Sequence, residues 1–173
     1  MHPRLPIFIS YARADNEGER WQDRWLDRLL GMLKPLRLNN QVCAWSDKDL
    51  APGSNWQQVI ETQLSHYAKA AVLMVSHNYL ASDFVRTGEL PFILGRAKDT
   101  GLPVIPLILK PCLFAEAVYR YLDPDSGPNA ITLAEFQSLN SPNAPLSAMK
   151  EHEQDAVLLQ LAQLLHNAFR SRQ

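Results

Sequence analysis

The chain alternates short apolar runs with segments in which apolar residues recur three or four positions apart. Each run is rich in β-formers, as the buried strands of a parallel sheet are, and the four runs cover residues 5–11, 42–45, 70–75 and 103–109. The periodic segments predict amphipathic helices over residues 20–34, 55–67, 84–97 and 151–169. The alternation predicts an α/β fold: a doubly wound, mainly parallel five-stranded sheet with helices on both faces, in a flavodoxin-like topology.

Polar residues and prolines set the expected ends of these elements. Asp15 or Asn16 is the expected N-cap of the first helix, and Pro35 is its expected end. Three other stretches have a less regular pattern, which predicts a loop at 76–81, a short helix at 115–122, and either a fifth, edge strand or a helical turn at 131–139.

Charge and hydropathy exclude two classes of partner. Seventeen Lys and Arg residues against eighteen Asp and Glu residues give a formal net charge of -1, which argues against a generally basic nucleic-acid-binding protein. No apolar run reaches the ~18 residues that a membrane-spanning helix needs, and the N-terminus lacks the long apolar region of a signal peptide. We therefore expect one cytoplasmic domain over residues 1–173, with neither nucleic acid nor a membrane among its partners.

Ligands of doubly wound sheets bind beyond the carboxyl ends of the strands, which directs attention to residues 10–15, 45–55 and 76–89. No GxGxxG motif or phosphate-binding loop is present, so a dinucleotide-binding dehydrogenase and a P-loop NTPase are both disfavoured. Val75 and Ser76 stand where response regulators of the same topology need a phosphate-accepting aspartate. No Cys or His spacing is typical of a metal site, so no metal is expected.

Four residues in these segments are open to two interpretations on pattern alone. Glu89 is either a solvated helix residue or a carboxylate partly desolvated beside the sheet, able to stabilise positive charge. Arg13 is either a surface residue paired with Asp15 or a clamp for a phosphate or carboxylate. Trp45 is either a core residue or a stacking platform for a purine, and His77 is more often a solvated loop residue than a ligand.

Five segments in sequence order resemble a TIR domain of the bacterial kind, and they span nearly the whole chain. They are FISYARAD (8–15), WSDKDLAPGSNWQQVIETQL (45–64), AVLMVSHNYLASDFVRTGELPFIL (71–94), LPVIPLIL (102–109) and FQSLNSPNAPLSAM (136–149). Each motif is loose alone, whereas five in the same order and spacing form a specific pattern. Some members of this family cleave the bond between nicotinamide and ribose in NAD+, and others only assemble with further TIR domains.

The resemblance implies an NAD+ glycohydrolase or cyclase of bacterial immune signalling or antiphage defence, with NAD+ as substrate and no cofactor. Its products would be nicotinamide and either linear or cyclic ADP-ribose, and Glu89 would be the catalytic carboxylate. The implied substrate contacts are Tyr11, Ala12 and Arg13 along the nucleotide, Trp45 and Asp47 beside the adenine or nicotinamide end, and Ser76 near the ribose. Several catalytic members carry an aromatic residue four positions before the glutamate; here Val85 has that position and Phe84 precedes it.

The resemblance also implies head-to-tail self-association. The matching loop of TIR domains docks on a neighbouring protomer, and the residues expected to do so here are Asp49, Leu50, Pro52 and Gly53. The alternative function is a non-catalytic TIR–TIR interaction module, either an adaptor or a mimic of host signalling. A third, weaker alternative is a nucleotide-binding module of another doubly wound family. Regulation is expected either in a separate sensor or effector protein or in further chain beyond these residues.

Overall fold

The core of the protein is a four-stranded parallel sheet. The computed structural model describes residues 4–123 and 125–171. Its sheet has the order β2-β1-β3-β4, and the strands are β1 (Leu5–Ser10), β2 (Val42–Trp45), β3 (Ala70–Val75) and β4 (Val104–Ile108). All four strands fall within the predicted apolar runs, because parallel strands covered on both faces carry few polar side chains to interrupt the run.

Helices cover both faces of this sheet, which confirms the doubly wound prediction. One face packs against α1 (Trp25–Leu38) and α5 (Glu151–Arg170), and the other against α2 (Trp56–Thr62), α3 (His77–Ala81) and α4 (Leu90–Thr100). Side chains alternate across the strands to fill the two cores. In β1, for example, Ile7 and Ile9 face α1 and α5, whereas Phe8 faces the opposite layer.

The first helix differs from its prediction at both ends. It begins at Trp25, and the expected caps lie in a separate 3-10 turn, Arg13–Asn16. Asn16 still caps the helix from a distance, because its Oδ1 accepts a hydrogen bond of 3.0 Å from the backbone N–H of Asp27. Pro35 lies inside the helix. The proline removes a bond to the carbonyl of Gly31, and both residues are exposed, so water can solvate that carbonyl.

The predicted fifth strand does not join the sheet in the described residues. Residues 115–122, predicted as a helix, mostly belong to β5 (Val118–Asp123), which pairs antiparallel with β6 (Gly127–Thr132). This hairpin is a separate two-stranded sheet. Burial alternates along β5, with Tyr119 and Tyr121 packed into the core beneath. This period of two is that of a strand and not of the predicted helix. Residues 131–139 contribute the end of β6 and a 3-10 turn, Leu133–Glu135.

The outer edge of β4 is covered by the segment that leads to α5. Asn140 takes the place of a neighbouring strand, because its Oδ1 accepts from the Ile108 N–H and its Nδ2 donates to the Ile108 carbonyl, both at 2.9 Å. The Leu139 N–H donates to the Pro106 carbonyl at 2.8 Å, and the Ser147 N–H donates to a carbonyl one residue past β4. Among the described residues, no helix combines the length and apolar composition that crossing a membrane requires.

Candidate active site

Glu89 lies at the carboxyl ends of the central strands, with no exposed surface. It ends a π-helical turn, Val85–Glu89, that leads directly into α4. Its Oε2 accepts a hydrogen bond of 2.6 Å from the hydroxyl of Ser10, the last residue of β1. The Ser10 hydroxyl also lies 2.9 Å from the hydroxyl of Tyr79, which is fully buried in α3. The interpretation of Glu89 as a solvated helix residue is therefore wrong.

The second oxygen of Glu89, Oε1, is buried and has no hydrogen-bond partner among the described residues. Burial raises the pKa of Glu89 to about 8, and the nearby Asp47 carboxylate adds to this; the Ser10 hydrogen bond and the Arg13 cation act in the opposite direction. A buried polar atom without a partner is uncommon in folded proteins and needs an explanation. Within the described residues, no group of three His, Cys, Asp or Glu side chains is arranged to hold a metal ion.

A cavity of about 400 Å³ lies beside this carboxylate, in the size range of small-molecule sites. Its walls come from three segments of the chain, and the lining residues are Tyr11, Ala12, Arg13, Ala14, Asp47, Asn78, Ala81, Ser82 and Phe84. Glu89 itself is not on the surface of the cavity. Four of the predicted substrate contacts are therefore brought together: Tyr11, Ala12, Arg13 and Asp47.

Arg13 and Asp47 form an ion pair on the wall of this cavity. The Arg13 Nε donates to Asp47 Oδ2 at 3.1 Å, and the arginine side chain is 68% exposed whereas the aspartate side chain is 1% exposed. The expected pairing of Arg13 with Asp15 is wrong. Asp47 also has a buried oxygen, Oδ1, without a partner among the described residues. Burial first, and then the Asp47 charge, raise the pKa of Tyr11 far above its usual range.

Asp15 instead belongs to a separate buried cluster. Its carboxylate accepts hydrogen bonds from the Ser76 hydroxyl, from Asn78 Nδ2 at 2.9 Å and from Lys110 Nζ at 3.1 Å. Ser76 also accepts a 3.0 Å bond from the Tyr79 N–H as the N-cap of α3, where the sequence predicted a loop. Ser76 is fully buried and does not line the cavity.

Trp45 also lies outside the cavity lining. Its ring packs against Phe8 with the ring centroids 5.2 Å apart, at the border of the apolar core. The structure therefore agrees with the interpretation of Trp45 as a core residue. His77 is exposed.

Phe84 supplies the aromatic wall of the cavity. Its ring packs against Trp56 with centroids 4.8 Å apart and the ring planes tilted by 44°, and the Arg13 guanidinium lies 5.8 Å from its centroid. Val85 is fully buried in the core. The turn between Phe84 and Glu89 is π-helical, and its closing bond joins the Leu90 N–H to the Val85 carbonyl, five residues back. One turn therefore spans about one residue more than in an α-helix, which brings Phe84 to the position one turn before Glu89.

The match to a known family covers most of this fold. Residues 7–139 match the family model described as TIR domain. The chain belongs to the TIR domain family. The matched region of this TIR domain contains β2, β3, β4 and most of β1, together with the cavity and Glu89. The prediction of a TIR domain is thereby confirmed.

Two comparisons give the distance of this TIR domain from other proteins. The uncharacterized protein y4lF of Sinorhizobium fredii (strain NBRC 101917 / NGR234) is 29% identical over 117 residues, which are 68% of this chain and 34% of that protein. The chain thus spans about a third of the length of this curated relative. The TIR domains in the structure of the activated Roq1 resistosome directly recognizing the pathogen effector XopQ have 16% identity and a TM-score of 0.46; the alignment covers 92% of this chain and 84% of that chain.

The expected assembly loop of this TIR domain is partly exposed. Ala51, Pro52 and Gly53 are exposed, and Leu50 is half-buried. Asp49 has a local role, because its carboxylate accepts the Ser46 N–H at 2.9 Å and so closes the 3-10 turn Asp47–Asp49. Lys48 donates to Asp27 of α1 at 2.8 Å, which ties the base of the loop to the helix layer.

Sequence reasoning did not identify Ser10, Tyr79 or Phe84 as members of the site. Ser10 carried a usable signal, because it is the single polar residue of an otherwise apolar strand. Tyr79 and Phe84 carried none, since their positions depend on α3 and on the π-helical turn.

Proposed function

We propose that this TIR domain is an NAD+ glycohydrolase in which Glu89 is the catalytic carboxylate. The environment of the Glu89 carboxylate supports the proposal. Ser10 donates a hydrogen bond to one oxygen, the other is buried without a partner among the described residues, and a cavity of ligand size lies beside it. Membership of the TIR family supports it, because some members cleave NAD+. Arg13 on the cavity wall is suited to the pyrophosphate, since a guanidinium binds phosphate oxygens in bidentate fashion.

The chemistry needs a carboxylate and little else from the protein. Heterolysis of the nicotinamide–ribose bond gives an oxocarbenium-like ribose, and a carboxylate beneath it stabilises that positive charge or forms a transient ester. The bonding electrons leave with the nicotinamide ring, which departs as a neutral molecule, so no general acid is required. Water then adds to the anomeric carbon and releases a proton, which gives ADP-ribose; attack by the adenine of the same molecule would give a cyclic product instead.

Access to Glu89 requires a movement. The carboxylate has no exposed surface and does not line the cavity. Arg13 and Asp47 do line it, and Asp47 begins the 3-10 turn that leads into the assembly loop. We infer that docking of the loop against a second protomer moves these residues and opens the path to Oε1. The same shielding favours a second candidate function, a non-catalytic TIR–TIR interaction module in which Glu89 has only a structural role.

The test is incubation with NAD+ at several protein concentrations, followed by chromatography of nicotinamide, ADP-ribose and cyclic products. Glu89→Gln should lower turnover by at least about 100-fold, the scale of losing a key electrostatic stabiliser. Glu61→Gln is the matched control, because it makes the same change on an exposed residue of α2 and should retain full activity. Absence of nicotinamide release by the wild-type protein at every concentration, or equal activity of a folded Glu89→Gln variant, would refute the enzyme and favour the interaction module.

A role in bacterial immune signalling or antiphage defence is a further part of the proposal, and it is suggested only by the family. Bacteria that produce the protein should then lose NAD+ during phage infection and yield fewer plaques. The Glu89→Gln variant should restore both the NAD+ level and the plaque count to those of cells without the protein.

A further inference from the structure

We propose that Tyr79 and Ser10 are positioning residues, forming a directed chain of hydrogen bonds that holds Oε2 of Glu89 and leaves Oε1 for the substrate. The role in turnover rests on the proposed function, whereas the chain itself does not. Three elements contribute one member each: Tyr79 from α3, Ser10 from the end of β1 and Glu89 from the turn before α4. All three side chains are fully buried, so water does not compete for these bonds.

The direction of the chain follows from the count of protons. Ser10 has one hydroxyl proton and two near neighbours, Tyr79 at 2.9 Å and Glu89 at 2.6 Å. An ionised carboxylate can only accept, so Ser10 donates to Glu89 and Tyr79 must donate to Ser10. The reverse order would leave the Tyr79 proton without an acceptor among the described residues. Burial raises the pKa of Tyr79 well above its usual range, which keeps this phenol a donor.

The chain also determines where Glu89 carries its proton. Because Oε2 already receives the Ser10 proton, the proton of the neutral acid lies on Oε1, the oxygen without a partner. The other charged or titratable groups facing Glu89 are Asp47, Arg13 and Tyr11, and none of them is hydrogen-bonded to Oε1 in the described residues. Ionisation therefore frees the one oxygen that can approach the ribose, while the chain prevents rotation of the carboxylate.

Four substitutions test the chain. Ser10→Ala removes the donor to Glu89, and Tyr79→Phe removes only the donor to Ser10. Ser10→Thr keeps the hydroxyl donor and should retain the wild-type pKa of Glu89, although its added methyl group enters a fully buried site and lowers stability. The matched control is Tyr119→Phe, because Tyr119 is also a buried tyrosine but its hydroxyl has no partner among the described residues.

The primary measurement is the pKa of Glu89 in the ligand-free protein, followed by NMR of its side-chain carboxyl carbon and assigned with Glu89→Gln. Ser10→Ala should lower the acid dissociation constant of Glu89 about tenfold or more, the scale of a hydrogen bond to a charged group. Tyr79→Phe should lower it by a smaller factor, about two- to fivefold. Tyr119→Phe should leave it within a factor of two of wild type.

Turnover of NAD+ is the second measurement, and it separates the two proposals. If wild type cleaves NAD+, the pH at which kcat/KM falls should rise in Ser10→Ala and Tyr79→Phe in step with the pKa of Glu89. A wild-type protein that releases no nicotinamide but shows the expected Glu89 titrations would refute the enzyme and uphold the chain. An unchanged pKa of Glu89 in Ser10→Ala, or an equal effect of Tyr119→Phe and Tyr79→Phe, would overturn the chain.

Discussion

Gly88 lies against the indole of Trp56, so closely that a Cβ added at Gly88 would sit 2.7 Å from Cζ3 of the ring. Trp56 is the first residue of α2, which Asn55 caps, and its ring also packs against Phe84 in a tilted arrangement. Gly88 immediately precedes Glu89 in the π-helical turn. The indole therefore sets the position of the backbone from which the carboxylate extends.

Gly88→Ala should destabilise the protein by about 1–3 kcal/mol, the usual cost of overpacking, and should lower NAD+ turnover more than stability alone explains. The double variant Gly88→Ala/Trp56→Phe should recover part of the lost stability and part of the lost turnover, because the smaller ring makes room for the methyl group. Gly95→Ala in α4 is the control, since its added Cβ meets its nearest atom at an ordinary 3.7 Å. Thermal unfolding and turnover measure the effects; additive losses in the double variant would contradict the packing argument.

The activity should depend on pH through Glu89. If Glu89 is the catalytic carboxylate, its ionised form is the active one. Its pKa in the free protein is about 8, so kcat/KM should rise about tenfold per pH unit below 8 and level off above it. The cationic substrate lowers the pKa of a neighbouring carboxylate, so kcat should fall only at lower pH than kcat/KM does. Steady-state kinetics from pH 5 to about 9.5 provide the measurement. A profile that is flat through pH 8 would contradict the assignment of Glu89.

The same burial makes Glu89 a source of instability. Its pKa is about 8 in the folded protein, whereas the ordinary pKa of a glutamate in an unfolded chain is 4.5. The folded state therefore favours the protonated form, and stability falls as pH rises from about 4.5 to about 8. Glu89→Gln carries no charge and should be more stable than wild type above pH 8, on the order of a few kcal/mol. Thermal unfolding across this pH range should show a difference in Tm that grows and then stays constant; a constant difference throughout would contradict it.

Arg13→Ala should raise KM for NAD+ more than it lowers kcat, if the guanidinium binds the pyrophosphate. The variant should also raise the pKa of Glu89, because the Arg13 cation lowers it in the wild type. Arg13→Ala also leaves the buried Asp47 carboxylate without its ion-pair partner, which should lower stability. The double variant Arg13→Ala/Asp47→Asn should recover part of that loss. Arg20→Ala, which breaks an exposed ion pair with Asp23, is the control. An unchanged KM in Arg13→Ala would exclude the pyrophosphate contact.

The sequence predicted the sheet well because helices cover both of its faces and its strands are almost entirely apolar. It failed where tertiary contacts decide the local structure. Residues 77–81 form α3, which Ser76 caps; five residues are too few to show a helical period in the sequence. Residues 118–123 form a strand because a hairpin buries Tyr119 and Tyr121, a period of two that the preceding alanines obscured.

The sequence predicted where in the fold the candidate site lies, but only some of the residues that form it. The rule for strand ends directed attention to Arg13, Asp47 and Glu89, which the structure brings together. Helical periodicity could not predict that Glu89 is buried. It assumes backbone hydrogen bonds between residues four apart, whereas those of the turn at 85–89 join residues five apart. The roles of all these residues in catalysis remain predictions.

Assembly should control activity if loop docking opens the path to Glu89. Specific activity should then rise with protein concentration or crowding, and Pro52→Asp should abolish that rise, because it places a charge on the exposed tip of the loop. Gly53→Arg is a poor variant for this purpose, since Gly53 has a φ of 79° and any side chain there would strain the loop itself. Lys69→Asp, at an exposed position outside the loop, is the control. Constant specific activity over a hundredfold dilution would refute this control by assembly.

The segment that covers the outer edge of β4 determines where the chain can be shortened without loss of the fold. The family match stops at residue 139, immediately before Asn140 and the chain that leads to α5. A version shortened to that boundary would uncover the edge of the last strand and remove α5, leaving α1 alone to cover that face of the sheet. An open strand edge next to bare apolar surface is the arrangement from which intermolecular aggregation grows. The smallest autonomous folding unit is therefore longer than the region by which its relatives are recognised.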